Sequence, residues 1–170
     1  MKENFESSLE HVLKSEGGFV NNPKDPGGMT NLGVTKAVWE AFVGHPVSEA
    51  DMRALTPEKV APMYENKYWD ACKCDELPAG VDYLVFDFAV NAGPGRSIKT
   101  LQKALAVPED GAIGPTTLHN IAIMDRGELI ARFSEAKEEF YKSLKTFDTF
   151  GAGWLKRVAE AKGIAQTMFG

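Results

Sequence analysis

Residues 16–35, EGGFVNNPKDPGGMTNLGVT, join the end of an apolar-faced helix to a turn-rich segment, and they decide the expected fold. Apolar residues that recur at helical spacing predict the helix just before this stretch, namely Phe5, Leu9, Val12 and Leu13. Glu16 follows on the same apolar face, and the two glycines after it favour the end of the helix there. The sequence therefore predicts a carboxyl group on the core-facing side of a last helical turn.

Glu16 is a candidate general acid because of this position. Burial disfavours the charged form of a carboxyl group, and the negative C-terminal end of a helix does the same. Both effects predict a raised pKa for Glu16, which a general acid needs near neutral pH. The alternative is a frayed helix end from which Glu16 points into water.

The rest of the stretch predicts a small β-hairpin that carries two further candidates. Asp25 lies in a dense turn signal, DPGG, and Thr30 begins the returning arm over 30–34. A hairpin folded across the helix end would place Asp25 opposite Glu16 across a groove, which is the arrangement that cleaves glycosidic bonds. Thr30 would help to position a water. Turn statistics explain Asp25 equally well, and Thr30 is also an ordinary β-former.

Composition limits the possible classes of protein. The 170 residues, 44% of them hydrophobic, suit one compact domain or two small lobes. A net charge of −5 argues against nucleic acid as a partner. The sequence contains no apolar run long enough to indicate stable membrane insertion, and the charged first helix does not resemble a signal peptide. Cys72 and Cys74 are expected to be reduced thiols, because a bridge across one intervening residue would be strained.

Motifs for metal, nucleophile or phosphate chemistry do not occur in the sequence. The three histidines lie far apart and outside an HExxH setting. The sequence lacks the GxSxG elbow that would predict a Ser-His-Asp hydrolase, and no glycine-rich stretch matches a P-loop. Neither a metal nor an organic cofactor is expected.

The remaining chain is predicted to be mostly helical, which makes the expected class α+β, predominantly α. Asp87 interrupts a strongly apolar helix and is expected to need a buried partner. The longest helix is predicted from about Gly127 to Lys145, followed by a linker over 147–153. Tyr68 and Trp69 either belong to the core, as most aromatic stripes do, or line a sugar groove.

Three blocks of the sequence resemble glycoside hydrolase family 108, the muramidases of phage endolysins and some bacterial proteins. The first block is the stretch 16–35 quoted above. The second, at 68–96, is YWDACKCDELPAGVDYLVFDFAVNAGPGR, which is similar in its Tyr-Trp pair and its Asp-Phe…Asn-x-Gly end. The third, at 101–118, is LQKALAVPEDGAIGPTTL, which resembles the small peptidoglycan-binding module that usually follows. Together the resemblance extends from about Phe5 to Ala165.

The resemblance implies a lysozyme-like, two-lobed fold with one small β-hairpin lobe and a helical lobe. It implies a hydrolase region over 5–93 and a helical peptidoglycan-binding region over 94–167 packed on it. The implied reaction is cleavage of the β-1,4 bond between N-acetylmuramic acid and N-acetylglucosamine in bacterial peptidoglycan glycan strands, with Glu16 as the catalytic acid. The expected substrate contacts in the groove are Tyr68, Trp69 and Asn91.

The third catalytic role stays open between two threonines. Glu16 and Asp25 keep the gap of eight residues found in the Glu, Asp, Thr set of the wider lysozyme superfamily of phage enzymes. Thr30 follows Asp25 after four residues rather than five, so Thr35 competes with it. A non-catalytic wall-binding scaffold and a lytic transglycosylase are the alternative functions. We expect a monomer that is made in the host cytoplasm and reaches the cell wall after release through a separate membrane pore, and secretion by another bacterial route is the alternative.

Overall fold

A computed structural model of the protein describes residues 2–24 and 28–169. Its contacts divide the chain into two compact units, one over Glu6–Lys67 and one formed by the described residues up to Phe5 together with those from Tyr68 onward. No helix among the described residues has the length and apolar character needed to cross a membrane. The helices and strands are α1 Phe5–Glu16, β1 Val20–Asn21, β2 Met29–Asn31, β3 Val34–Thr35, α2 Lys36–Val43, α3 Glu49–Arg53, α4 Pro57–Tyr64, α5 Val81–Ala92, α6 Pro94–Leu105, α7 Pro115–Ile123, α8 Arg126–Lys142 and α9 Phe147–Phe169, with a π-helical turn at Glu65–Trp69 and short 3-10 helices at Lys2–Asn4 and Cys74–Glu76.

The expected class is confirmed, because the chain is mostly helical with one small antiparallel sheet of order β1-β2-β3. The sheet has three strands, so the prediction of a single two-stranded hairpin is wrong in this respect. Asn31 pairs with Val34, so the chain reverses at Leu32 and Gly33 inside the segment predicted as one strand. Both turn residues have positive φ, 53° and 75°, which is the signature of a type I′ turn.

The smaller unit follows the sequence pattern closely. The predicted apolar face of α1 is buried, with Val12 fully inaccessible. Thr35, Ser48 and Thr56 each accept a hydrogen bond from a backbone N–H in the first turn of α2, α3 and α4, so they act as N-caps. The buried Asn31 side chain donates to the Met52 carbonyl at 2.8 Å, which fixes β2 to α3.

The larger unit is organised around α5, which is buried continuously from Val81 to Ala89. The predicted need of Asp87 for a partner is confirmed. Lys137 of α8 donates to its carboxylate at 3.0 Å, and the Arg157 guanidinium of α9 lies 3.6 Å from the other oxygen. Three helices that are distant in sequence therefore meet at one buried carboxylate.

The predicted linker over 147–153 is wrong, because α9 is helical from Phe147 onward and is 23 residues long. Glycine costs about 1 kcal/mol in a helix interior, which is why Gly151 and Gly153 favoured a break in the sequence. Packing outweighs that preference. Trp154 stacks on Tyr141 of α8 with ring centroids 5.0 Å apart and also packs against Phe150.

Candidate active site

Glu16 is the last residue of α1, as predicted from its spacing. The chain leaves the helix through Gly17, whose φ of 78° lies in the left-handed region that terminates helices. The Glu16 side chain is half-buried, so it does not extend freely into water as the frayed-end alternative requires. This position offers one carboxyl group at the C-terminal end of a helix, beside the sheet of the same unit.

The Leu32–Gly33 turn between β2 and β3 lies directly against the stem of Glu16. A Cβ atom built on Gly33 would lie 2.9 Å from Cγ and 3.0 Å from Cβ of Glu16. The same atom would lie 2.7 Å from Oη of Tyr64. No side chain fits there, so glycine at 33 lets the turn contact both residues.

Tyr64, at the end of α4, holds this turn in place. Its side chain is 1% exposed, and its hydroxyl donates to the Leu32 carbonyl at 2.6 Å. Tyr64 is not among the site residues predicted from the sequence, so its contact with the turn was missed. The available signal was the Leu-Gly pair between two short runs of β-formers, which indicates a two-residue hairpin loop.

The two candidate threonines are cross-strand neighbours. Thr30 lies in the central strand and pairs with Thr35 on one side and Val20 on the other. Residues directly opposite in an antiparallel pair project from the same face. The Thr35 hydroxyl accepts a hydrogen bond from the Val38 N–H at 3.2 Å and so caps α2, whereas Thr30 lies within β2 and does not cap a helix. Asp25, the second candidate carboxylate, lies outside the described residues.

Trp69, which was predicted as a sugar contact, lies in the core instead. The side chain is 1% exposed, and its indole N–H donates to Asp75 at 2.7 Å. Its ring packs edge-to-face on Phe5 and Phe86, with centroids 5.3 Å from each. Trp69 therefore belongs to the core, as most members of aromatic stripes do, while its neighbour Tyr68 is half-buried.

Asn91 is exposed near the end of α5 and lines a cavity of about 280 Å³ in the larger unit. The stacked rings of Tyr141 and Trp154 and the side chain of Arg157 line the same cavity. Burial raises the pKa of the Tyr141 hydroxyl to about 12, so this group is neutral at physiological pH. An amide and aromatic surface of this kind can contact a sugar or a peptide.

The third sequence block is explained by hydrogen bonds within the block. The buried Gln102 amide donates to Asp110 at 2.8 Å, to the Ala112 carbonyl at 2.9 Å and to Thr117 at 3.2 Å, and it accepts from the Gly111 N–H at 2.9 Å. Donation from the Ala112 N–H and the Gln102 amide lowers the pKa of Asp110. The spacing of Gln, Asp-Gly and Thr in this block thus closes a loop onto α6.

Metal ligands do not gather anywhere in the described part of the chain: no group of three or more His, Cys, Asp or Glu there has the spacing to hold an ion. In the smaller unit, the end of α1 and the Leu32–Gly33 turn meet beside a carboxyl group. Glu16 is the titratable group that the turn and the helix end position there.

A mostly helical chain with one small antiparallel sheet, and with the candidate acid Glu16 at the end of its first long helix, has the lysozyme-like α+β fold. The chain belongs to the glycosyl hydrolase 108 family, whose model matches residues 9–93. It is also similar to the structure of Brucella abortus SagA, with 41% sequence identity over 99% of this chain and 97% of that chain and a TM-score of 0.87. No curated protein matches the sequence. The family match includes Glu16 and the turn against it, and it ends before the third block.

Proposed function

We propose that this protein is an N-acetylmuramidase, which hydrolyses the β-1,4 bond between N-acetylmuramic acid and N-acetylglucosamine in bacterial peptidoglycan. The observation that supports this most is the placement of Glu16. It is the last residue of α1, half-buried, and in contact with a turn that only glycine permits, in a chain of a glycoside hydrolase family. Such a carboxyl group is the proton donor that glycosidic bond cleavage requires.

The proposed roles follow the needs of the reaction. Glu16 donates its proton to the leaving glycosidic oxygen as the bond to the anomeric carbon breaks. Asp25 stabilises the oxocarbenium-like centre or orients the water that adds to it, and Thr30 assists in positioning that water. Thr30 is the better candidate for the third role, because the Thr35 hydroxyl already accepts the capping hydrogen bond of α2. Tyr68 and Asn91, which keep accessible surface, are the proposed glycan contacts.

The proposal includes a place and a manner of action. The enzyme acts as a monomer on wall glycan strands. As in phage endolysins, it is made in the cytoplasm first and is then released to the wall. Cell fractionation before and after lysis tests the order, and sedimentation of the purified chain tests the monomer. Recovery of the protein in the wall fraction of cells that have not lysed would contradict the order.

Digestion of purified peptidoglycan by three proteins tests the catalytic proposal. These are the wild type, Glu16→Gln and the matched control Glu10→Gln, which changes an exposed acid on the same helix. We expect Glu16→Gln to keep its thermal stability and to lose activity about 10²–10⁴-fold, the contribution of a general acid. Glu10→Gln should match the wild type.

Product masses and binding separate the alternatives. New N-acetylmuramic acid reducing ends support hydrolysis, whereas 1,6-anhydro ends would show a lytic transglycosylase. Sedimentation with peptidoglycan without release of reducing ends would show a binding scaffold. Activity retained in Glu16→Gln would refute the mechanism.

A further inference from the structure

The turn that contacts Glu16 holds one residue in an unfavourable backbone conformation. Leu32 has a φ of 53°, in the left-handed region that residues with a Cβ rarely adopt. Type I′ turns prefer Asn-Gly at these two positions, because asparagine adopts positive φ at a lower cost than leucine does. Strained residues of this kind persist where their surroundings hold them, and they cluster at functional sites.

The surroundings that hold Leu32 include the side chain of Tyr64. The hydroxyl of Tyr64 donates its single hydrogen to the carbonyl of Leu32 itself, at the short distance of 2.6 Å. The Tyr64 ring is buried and belongs to α4. The hydrogen bond therefore anchors the Leu32 carbonyl to a helix. This hydrogen bond favours the strained turn over a relaxed one.

The same turn is in contact with the stem of Glu16. The hydroxyl of Tyr64 and Cγ of Glu16 lie 2.7 Å and 2.9 Å from one point beside Gly33. Tyr64, Gly33 and Glu16 are therefore packed together without room for an additional methyl group. A change in the position of the turn must be transmitted to the carbon atoms that carry the Glu16 carboxyl group.

We propose that Tyr64 is a positioning residue for Glu16, and that it acts through the Leu32–Gly33 turn. This inference rests on the proposed function, in which Glu16 is the proton donor. In this scheme the hydroxyl hydrogen of Tyr64 is directed to the Leu32 carbonyl, so Tyr64 acts on the acid through the turn. Its contribution is to the placement of the acid, so its loss should change the chemical step and leave substrate binding unchanged.

The first experiment measures kcat and KM on purified soluble peptidoglycan strands for Tyr64→Phe. We expect kcat to fall about 10- to 100-fold, as for a small misplacement of a catalytic group, with KM within about two-fold of the wild type. Tyr83→Phe is the matched control, because it also removes a hydroxyl from a buried tyrosine, in the larger unit. It should leave kcat unchanged. Assays are run below the melting temperature of every variant, with the folded fraction measured by circular dichroism.

A rescue experiment separates positioning from general destabilisation. In the Tyr64→Phe background, Leu32→Asn supplies the residue that prefers positive φ and so restores the turn without the tyrosine hydroxyl. We expect the double variant to regain most of the lost kcat. A kcat of Tyr64→Phe equal to that of the wild type would overturn the proposal, and so would a loss that the double variant fails to recover or that follows the unfolded fraction.

Failure of this inference is distinct from failure of the proposed function. Inactive Glu16→Gln together with fully active Tyr64→Phe would remove the positioning role and keep Glu16 as the acid. Full activity in Glu16→Gln would remove both.

Discussion

Replacing Gly33 by alanine should reduce both stability and activity, because the new methyl group would overpack the turn and displace the proposed catalytic acid. The built Cβ lies within 3.0 Å of Tyr64 Oη and of two Glu16 carbons, distances at which one of the groups must move. Tyr64 is buried and hydrogen-bonded, so it is the less mobile neighbour. Glu16 is half-buried and ends its helix, so it is the group that moves.

The expected loss of unfolding free energy has two parts, and the chain offers a control that isolates one of them. Alanine at positive φ costs about 1–2 kcal/mol, and overpacking adds about 1–3 kcal/mol. Gly44 has a φ of 82° and no atom within 4 Å of its built Cβ, so Gly44→Ala carries only the first part. We expect Gly33→Ala to lose about 2–5 kcal/mol of unfolding free energy and Gly44→Ala about 1–2 kcal/mol. Activity should fall about 100-fold in Gly33→Ala alone, since a displacement of about 1 Å has that effect.

Urea unfolding midpoints and peptidoglycan digestion, measured on the same preparations, test both parts. The kcat values are compared at a temperature where each protein is folded. Equal stability and equal kcat in Gly33→Ala and Gly44→Ala would show that the contact between the turn and Glu16 has no effect on folding or catalysis.

Two further predictions concern the larger unit. Asp87→Asn should cost about 3–5 kcal/mol because it leaves the ammonium of Lys137, which is 1% exposed, without its carboxylate. Lys137→Met should cost less because Arg157 stays beside Asp87, and equal urea midpoints for the two variants would contradict this order. The lowered pKa of Asp110 means that its ionised form stabilises the fold above about pH 4, and that this contribution is lost as the pH falls through the lower folded-state pKa. Asp110→Asn should therefore reduce the loss of melting temperature on acidification, and an unchanged slope would exclude the effect.

The first helix and its end were predictable because both depend on local rules. Burial of Leu9, Val12 and Leu13 follows from their helical spacing, and the glycine after Glu16 adopts the left-handed conformation that ends helices. The N-caps of α2, α3 and α4 follow from side chains that bond to a backbone N–H three residues later. The position of Glu16 therefore required no knowledge of tertiary structure.

What escaped prediction depends on contacts between residues far apart in sequence. The turn at Leu32 adopts a conformation that leucine disfavours, and the hydroxyl that supports it comes from a residue 32 positions later. The N-terminal half of α9 contains two glycines and is helical through aromatic packing onto α8. The need of Asp87 for a partner was predictable, but its partner is 50 residues away. Long-range packing decided each of these cases over local propensity.

The two cysteines give the larger unit an intrinsic reporter of its own opening. Cys72 and Cys74 are fully buried, and burial raises the pKa of the Cys74 thiol well above its usual range. Because only an accessible thiolate attacks an alkylating reagent or a disulfide, both sulfurs react when the helices around them separate. The rate of thiol modification therefore measures how often this unit opens, without an added label. The same shielding protects both thiols from oxidation while the chain stays folded.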